Sequence, residues 1–174
     1  MGPDPVILLR AMAPTQELRL NDLDPQDLAI LEILQRNNAT PQRTIGEMVN
    51  LSAAAVQRRI SRLEKHGVIQ GNVAILNPAS VGQPITVLVE VQIENERLDL
   101  LEASKGSFAS APEVQQCYYV TGETDFVLVV TVGSMQEYEQ LTKRLFFENH
   151  NIKHFKTLVV MDRVKASMAL ILPK

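Results

Sequence analysis

Several things are scarce in this sequence, and each scarcity narrows the reading. Cysteine occurs once in 174 residues, at Cys117, so no disulfide can form within the chain and a reducing compartment is expected. No apolar run approaches the roughly 18 residues of a membrane span. Pro5 to Leu9 is too short for a secretory core and has no basic lead-in. These lacks predict a cytoplasmic protein with no membrane partner. No glycine loop of the phosphate-cradling kind is present, and His66, His150, His154 and Cys117 stand at no metal-ligand spacing. Cys117 could pair with His150 or His154 as a nucleophile, but it lies inside an apolar run that favours a core position. The expectation is no catalytic residue, no metal, no cofactor and no enzyme. Positive charge is short as well: the formal net charge is −3, which by its sum argues weakly against nucleic acid.

The distribution of charge matters more than its sum. From Ser52 to His66 the only acid is Glu64, against Arg58, Arg59, Arg62 and Lys65, whereas beyond Val73 acids outnumber bases. A single short basic helix on an otherwise acidic chain is a local footprint, not a general polyanion coat. Apolar residues make up 45% of the chain, enough for a packed core without disulfides.

Periodicity divides the chain. Residues 1–20, with Pro3, Pro5 and Pro14, have no clear period and are expected to form a loose arm. Asp24 is placed to cap a helix, Pro25 suits its first position, and Leu23 with Leu28 suits a hydrophobic staple. Leu28, Leu31 and Leu34 carry the apolar stripe to about Asn37. Thr40-Pro41 repeats the capping signal for a second helix with Ile45, Met48 and Val49 apolar. Asn50 follows at the turn, where it tolerates a left-handed backbone. Ser52 then caps a third helix that Gly67 stops. Val68-Ile69 and Val73-Ala74-Ile75 flank Gln70-Gly71-Asn72 as a hairpin or wing. The spacing predicts a helix-turn-helix unit over residues 21–76 and a linker over 77–84.

From residue 85 the period becomes two. Ile85 to Ile93 alternates apolar with polar, Leu98 to Ala111 reads as a helix, and Val114 to Val120 and Phe126 to Val132 read as strands. Ser134 caps a helix carrying Tyr138, Leu141, Leu145 and Phe146, and Phe155 to Met161 is the last strand. The order β-α-β-β-α-β over residues 85–174 is that of a ferredoxin-like domain, so the fold class is α+β. Met168, Leu170 and Leu172 suggest a further strand, lying across a subunit boundary. Two helices cover one face of a four-stranded sheet, so apolar strands such as Phe126 to Val132 call for a second copy, and a homodimer is expected.

On the third helix, Val56, Ile60 and Leu63 share one side while Ala54, Ala55, Arg58, Arg62 and Lys65 share the other. A recognition helix needs this division, with one side anchored and the opposite side in the major groove. Ala54 and Ala55 allow close approach, Gln57 or Arg58 can meet base edges, and Arg62, Lys65 and Thr44 suit phosphates. A solvated basic face on an ordinary surface helix has the same pattern.

The ordered motifs carry a resemblance. Leu51-Ser52-Ala53-Ala54-Ala55-Val56-Gln57-Arg58-Arg59-Ile60, then Arg62-Leu63-Glu64, Gly67-Val68-Ile69 and Leu76-Asn77-Pro78, are similar to the Lrp/AsnC (feast/famine) transcription regulators. So is Leu23-Asp24 through Leu34, and Val120-Thr121-Gly122-Glu123-Thr124-Asp125-Phe126 resembles that family's Gly-x-x-Asp-aromatic loop. The likeness runs over about residues 21–172. Asn50 stands where a turn glycine is usual, and Asn72 where an aromatic is common. The resemblance implies a winged helix-turn-helix ahead of a βαββαβ domain that senses an amino acid or related metabolite. It also implies a homodimer assembling to an octamer on a palindromic double-stranded DNA operator. The DNA-facing set it implies is Thr44, Ser52, Ala54, Ala55, Gln57, Arg58, Arg59, Arg62 and Lys65.

Between the two apolar strands, Gly122 and Asp125 suit a plain hairpin turn, with positive φ at the glycine and backbone capping by the aspartate. They equally suit an amino-acid pocket, where loop amides take a carboxylate and Asp125 an ammonium. Together with the resemblance, this names Tyr119, Thr121, Gly122, Asp125 and Thr157 as effector contacts. The reading is a DNA-binding transcription regulator that responds to a small molecule. A regulatory subunit whose helices bind protein is the alternative, and a small ferredoxin-like enzyme lacks a catalytic constellation.

Overall fold

A computed structural model describes residues 18–173, so most of the expected N-terminal arm lies outside the described residues. The chain divides into two units: one runs to residue 74 and regains the chain from residue 165, the other spans 75–164.

In the first unit, α1 (Pro25–Arg36) starts where Asp24 accepts a hydrogen bond from the Asp27 N–H at 2.9 Å while Asp27 accepts from the Asp24 N–H. This reciprocal pair satisfies two donors that no helix can satisfy internally. The second helix, α2 (Gln42–Val49), has Pro41 at its cap position and no side-chain cap. The Thr40 hydroxyl, expected there, donates back to the Asn37 carbonyl instead. The reading helix α3 (Ala53–Lys65) is capped by Ser52, whose hydroxyl accepts from the Ala55 N–H at 3.2 Å. Ile30, Ile45 and Val56 form the fully buried centre, with Ile33, Leu34, Val49, Leu51 and Ile60 packed around it.

The turn between α2 and α3 depends on two residues. Asn50 adopts φ 57° and ψ 44°, the left-handed conformation that its amide side chain tolerates. Gly46, unremarked in the sequence, is buried where a Cβ would overlap the Leu51 carbonyl oxygen, and its own carbonyl accepts from the Leu51 N–H at 2.9 Å.

Beyond α3 the expected hairpin is not a hydrogen-bonded ladder. Val68 and Ile69 donate to the Leu63 carbonyl, and residues 70–76 run extended and exposed. Asn72 ties this arm to α3 through a bond to the Glu64 carboxylate at 3.1 Å. Val73 and Ile75 have no facing strand among the described residues, so alternation alone could not form a sheet there. The C-terminal segment is likewise not an added strand. It lies on α1, where the Gln35 amide donates to the Leu170 carbonyl at 3.1 Å and accepts from the Leu170 N–H at 2.6 Å.

The second unit is a four-stranded antiparallel sheet in the order β2-β3-β1-β4, from β1 (Ile85–Ile93), β2 (Val114–Tyr119), β3 (Phe126–Val132) and β4 (Ile152–Val159). Two helices, α4 (Leu98–Ser110) and α5 (Met135–Thr142), cover one face. The second helix continues as a π-helical turn over Lys143–Phe147, and Ser134 caps it as the sequence indicates. Val87, Val89, Val91, Phe126, Leu128 and Val130 point into the covered core, where Phe108 meets Phe126 edge-on at 5.2 Å. The alternate residues Leu88, Val127, Val129 and Leu158 form the other face. The last strand begins earlier than Phe155 because its register with β1 runs from Ile93 opposite Ile152 to Val87 opposite Val159.

Gly46→Ala should destabilise the first unit by about 1–3 kcal/mol, the usual range for forcing atoms into a filled site. Asn50→Gly should change it by only a few tenths, since glycine adopts the same φ freely. Thermal unfolding of the two variants checks the pair.

Candidate functional site

Helix α3 presents two kinds of cation. Ala54, Gln57, Arg58, Ser61 and Lys65 are exposed on its outer side, opposite the buried Val56 and Leu63. Among the described residues, Arg58 and Lys65 make no ion pair. Ala55 is half-buried beside the Ser52 cap, and Thr44 is exposed on α2. Gln57 is held on both sides: the Gln42 amide donates to its oxygen, and its nitrogen donates to the Ser61 hydroxyl at 3.3 Å. Sequence reasoning had not singled out Gln42 or Ser61. Ser61 was accessible to it, four residues beyond Gln57 on the same stripe, but Gln42 meets α3 only through the turn.

Arg59 and Arg62 behave differently. Arg59 donates to Asp24 and Asp27, each at 2.7 Å, and Arg62 donates to the other Asp27 oxygen at 2.6 Å. Asp27 is fully buried, while Arg59 and Arg62 side chains keep 28% and 41% of their surface. All three distances lie at the short end of charge-assisted bonds. The two carboxylates raise the Arg59 pKa, the Asp27 bond contributing most. Burial pushes the Asp24 carboxyl up, but the Asp27 N–H, the Arg59 guanidinium and the Gln26 N–H outweigh it and hold the group below its ordinary value. Breaking a buried pair by removing one partner typically costs about 3–5 kcal/mol. The two arginines named for DNA are thus joined to the first turn of α1.

The loop between β2 and β3 sits at the end of β1. The Asp125 carboxylate accepts from the Ile93 N–H at 2.8 Å, and its own N–H donates to the Val91 carbonyl at 2.9 Å. The Thr124 hydroxyl also donates to the Val91 carbonyl at 2.9 Å, and the Gln92 amide donates to the Glu123 carbonyl. Thr121, Gly122 and Glu123 are exposed, with Gly122 at φ 133°. Tyr119 stacks on Phe126 with centroids 5.2 Å apart and lies under the Lys105 ammonium at 5.1 Å. These side chains gather cationic, anionic, aromatic and open backbone groups around one exposed loop.

Thr157 is not part of that gathering. It sits on β4, opposite Val89 and one strand beyond the side where β3 carries the loop, and its hydroxyl shares a 2.7 Å hydrogen bond with Tyr138. Burial raises the Tyr138 pKa, with the Thr157 bond opposing. Cys117 is half-buried, and burial likewise raises its thiol while nearby Lys105 lowers it, the opposite of an activated nucleophile. No group of three or more His, Cys, Asp or Glu among the described residues is arranged to hold a metal ion. No helix among them is long and apolar enough to cross a membrane.

Comparison with known proteins agrees with both units. The family model for a winged helix-turn-helix DNA-binding domain matches residues 23–70, and that for the Lrp/AsnC ligand binding domain matches residues 86–170. An uncharacterised helix-turn-helix transcriptional regulator of Sinorhizobium fredii is 48% identical over 86% of this chain and 88% of its own length. The leucine-responsive regulatory protein of Haemophilus influenzae is 33% identical over 90% of this chain and 95% of its own. A transcriptional regulator of Neisseria meningitidis, solved as a complex with L-Met, superposes with a TM-score of 0.79 at 28% identity, covering 86% of this chain and 96% of that one. An AsnC family regulator of Agrobacterium tumefaciens gives 0.80 at 28% identity, covering 86% and 97%. With a helix-turn-helix that presents a basic outer stripe and a βαββαβ unit of the ligand-binding kind, the chain belongs to the Lrp/AsnC family of DNA-binding transcriptional regulators.

Proposed function

We propose that this regulator reads double-stranded DNA with the outer stripe of α3 and that an amino acid or a related metabolite, bound beside the β2–β3 loop, alters that binding. The stripe itself carries the first half of the reading. Ala54 and Ala55 let the helix approach the major groove, Gln57 and Arg58 meet base edges, and Lys65 and Thr44 meet phosphates. Ser52, at the first turn, adds a helix N-terminus suited to a phosphate oxygen. The function needs no catalysis and no cofactor, and it belongs to the cytoplasm, where the DNA is.

The effector contacts are Tyr119, Thr121, Gly122 and Asp125. A free amino acid asks for a partner of each charge, and this loop holds exposed backbone amides beside Asp125, with Lys105 over Tyr119. The Neisseria meningitidis relative bound to L-Met supports an amino acid as the ligand class. Thr157 is a weaker member, since Tyr138 already occupies its hydroxyl.

Two copies are proposed as the smallest working unit, with further assembly to an octamer. Leu88, Val127, Val129 and Leu158 lie on the sheet face that no helix of the second unit covers, and a second copy buries such a face. Two-fold symmetry then suits a palindromic operator. A ligand that binds one assembly better than another shifts the population, with coupling typically about 1–3 kcal/mol.

Three outcomes follow from this reading. Arg58→Ala should weaken operator binding at least tenfold, in fluorescence anisotropy, with little change in thermal unfolding. A salt-insensitive affinity in the unmodified protein would instead favour a protein partner for the helices. Asp125→Ala should weaken amino-acid binding at least tenfold in calorimetry against the twenty amino acids; full-strength binding would place the pocket elsewhere. Light scattering at micromolar concentration should give the mass of a dimer or a larger assembly, and a monomer would contradict the shared sheet face.

A further inference from the structure

We propose that Asp27 is a positioning residue for DNA recognition: it holds Arg59 and Arg62 away from phosphate and leaves the approach to DNA to Arg58 and Lys65. The inference rests on the reading of α3 as the DNA-contacting helix.

Charge and helical position alone do not separate these cations. Arg62 lies one turn from Arg58, at nearly the same angle around the helix. The partners separate them. Asp27 is fully buried and uses both carboxylate oxygens, one for Arg59 and the other for Arg62 and the Asp24 N–H. Asp24 takes a second bond from Arg59, and Arg62 also reaches the Asp22 carbonyl at 3.4 Å. Two carboxylates face two guanidiniums, so the cluster is neutral as a whole.

That neutrality sets what the arginines can do. If Arg62 swung out to a phosphate, it would leave a buried carboxylate with half its charge partners gone. A phosphate at a solvated surface returns less than a desolvated pair loses. Both guanidiniums therefore stay with Asp27, and α3 meets DNA with fewer cations than its sequence carries. Fewer phosphate contacts mean weaker sequence-independent attraction, because that attraction scales with the number of phosphates neutralised. Meanwhile the two bonds from α3 into the first turn of α1 hold the helix at one rotation about its axis, which is what places Gln57 and Arg58 outward.

The test uses the full-length protein, an operator duplex and an unrelated duplex of equal length, with affinities measured over a range of salt. Arg62→Gln in the native background should lower operator affinity several-fold without changing the slope of log affinity against log salt. Arg58→Ala should reduce that slope by about one, as expected for one phosphate-scale charge contact. Asp27→Asn keeps the shape but frees the cations, so its slope should steepen by about one to two, at about −0.9 per phosphate. Its preference for operator over the unrelated duplex should fall about tenfold. A slope reduced by about one in Arg62→Gln overturns the proposal, because Arg62 would then be touching phosphate. A slope unchanged in a folded Asp27→Asn overturns it too. If Asp27→Asn does not fold, the Arg62→Gln slope decides. A native protein whose affinity ignores salt would defeat the DNA reading itself, an outcome distinct from either of these.

Discussion

Two carboxylates in the first turn of α1 hold two guanidiniums of α3, and the N-terminal unit depends on that grip for direction. The apolar contacts among Ile30, Ile45 and Val56 supply the drive to pack, but hydrophobic burial has no preferred direction. A helix anchored by aliphatic side chains alone tolerates rotation about its axis. Hydrogen-bonded ion pairs of 2.6–2.7 Å do not, because their strength falls steeply with misalignment. The Asp24–Asp27 capping pair serves this end as well. It fixes the first turn of α1, and so fixes where the carboxylates stand when α3 arrives.

The second unit works under a different constraint. A sheet whose strands alternate strictly has two faces, and its two helices shield one of them. The covered side is filled by valines and leucines with Phe108, Phe126 and Phe146 in edge and tilted contact. The polar loop at the end of β1 gains rigidity from the same sheet: Asp125 and Thr124 both bond to the β1 backbone, so the exposed residues 121–123 are carried on a fixed base. Tethering of this sort suits a turn, and it also suits a pocket whose contacts must be placed before the ligand arrives.

Much of this was legible in the chain. Asp24, Ser52 and Ser134 signal helix starts, Asn50 signals the left-handed turn, and the alternation of Ile85 to Ile93 signals a strand with one buried face. Each of those signals acts between residues at most a few positions apart. The arm after Ile69 shows the limit. Alternating apolar residues suggest a strand, yet a strand exists only where a partner offers a ladder, and here none of the described residues does. The C-terminal segment shows it again, since Leu170 bonds to Gln35 across 135 positions. Thr157 was placed near the loop by the order of the strands, but its hydroxyl turns to Tyr138 because the face it occupies is the helix-covered one.

The sequence by itself determined the element types, the division into a helix-turn-helix and a βαββαβ unit, and which side of α3 is apolar. Those properties follow from caps, periodicity and turn chemistry, which are set by neighbours along the chain. Only the tertiary structure decided which cations of α3 are engaged. Arg58, Arg59, Arg62 and Lys65 carry the same charge and crowd one helix, and nothing local tells them apart. Their fates divide because Asp24 and Asp27, more than thirty residues earlier, are brought to the side where Arg59 and Arg62 emerge. Charge pairing is a matter of distance in space, and that distance exists only once the helices have packed.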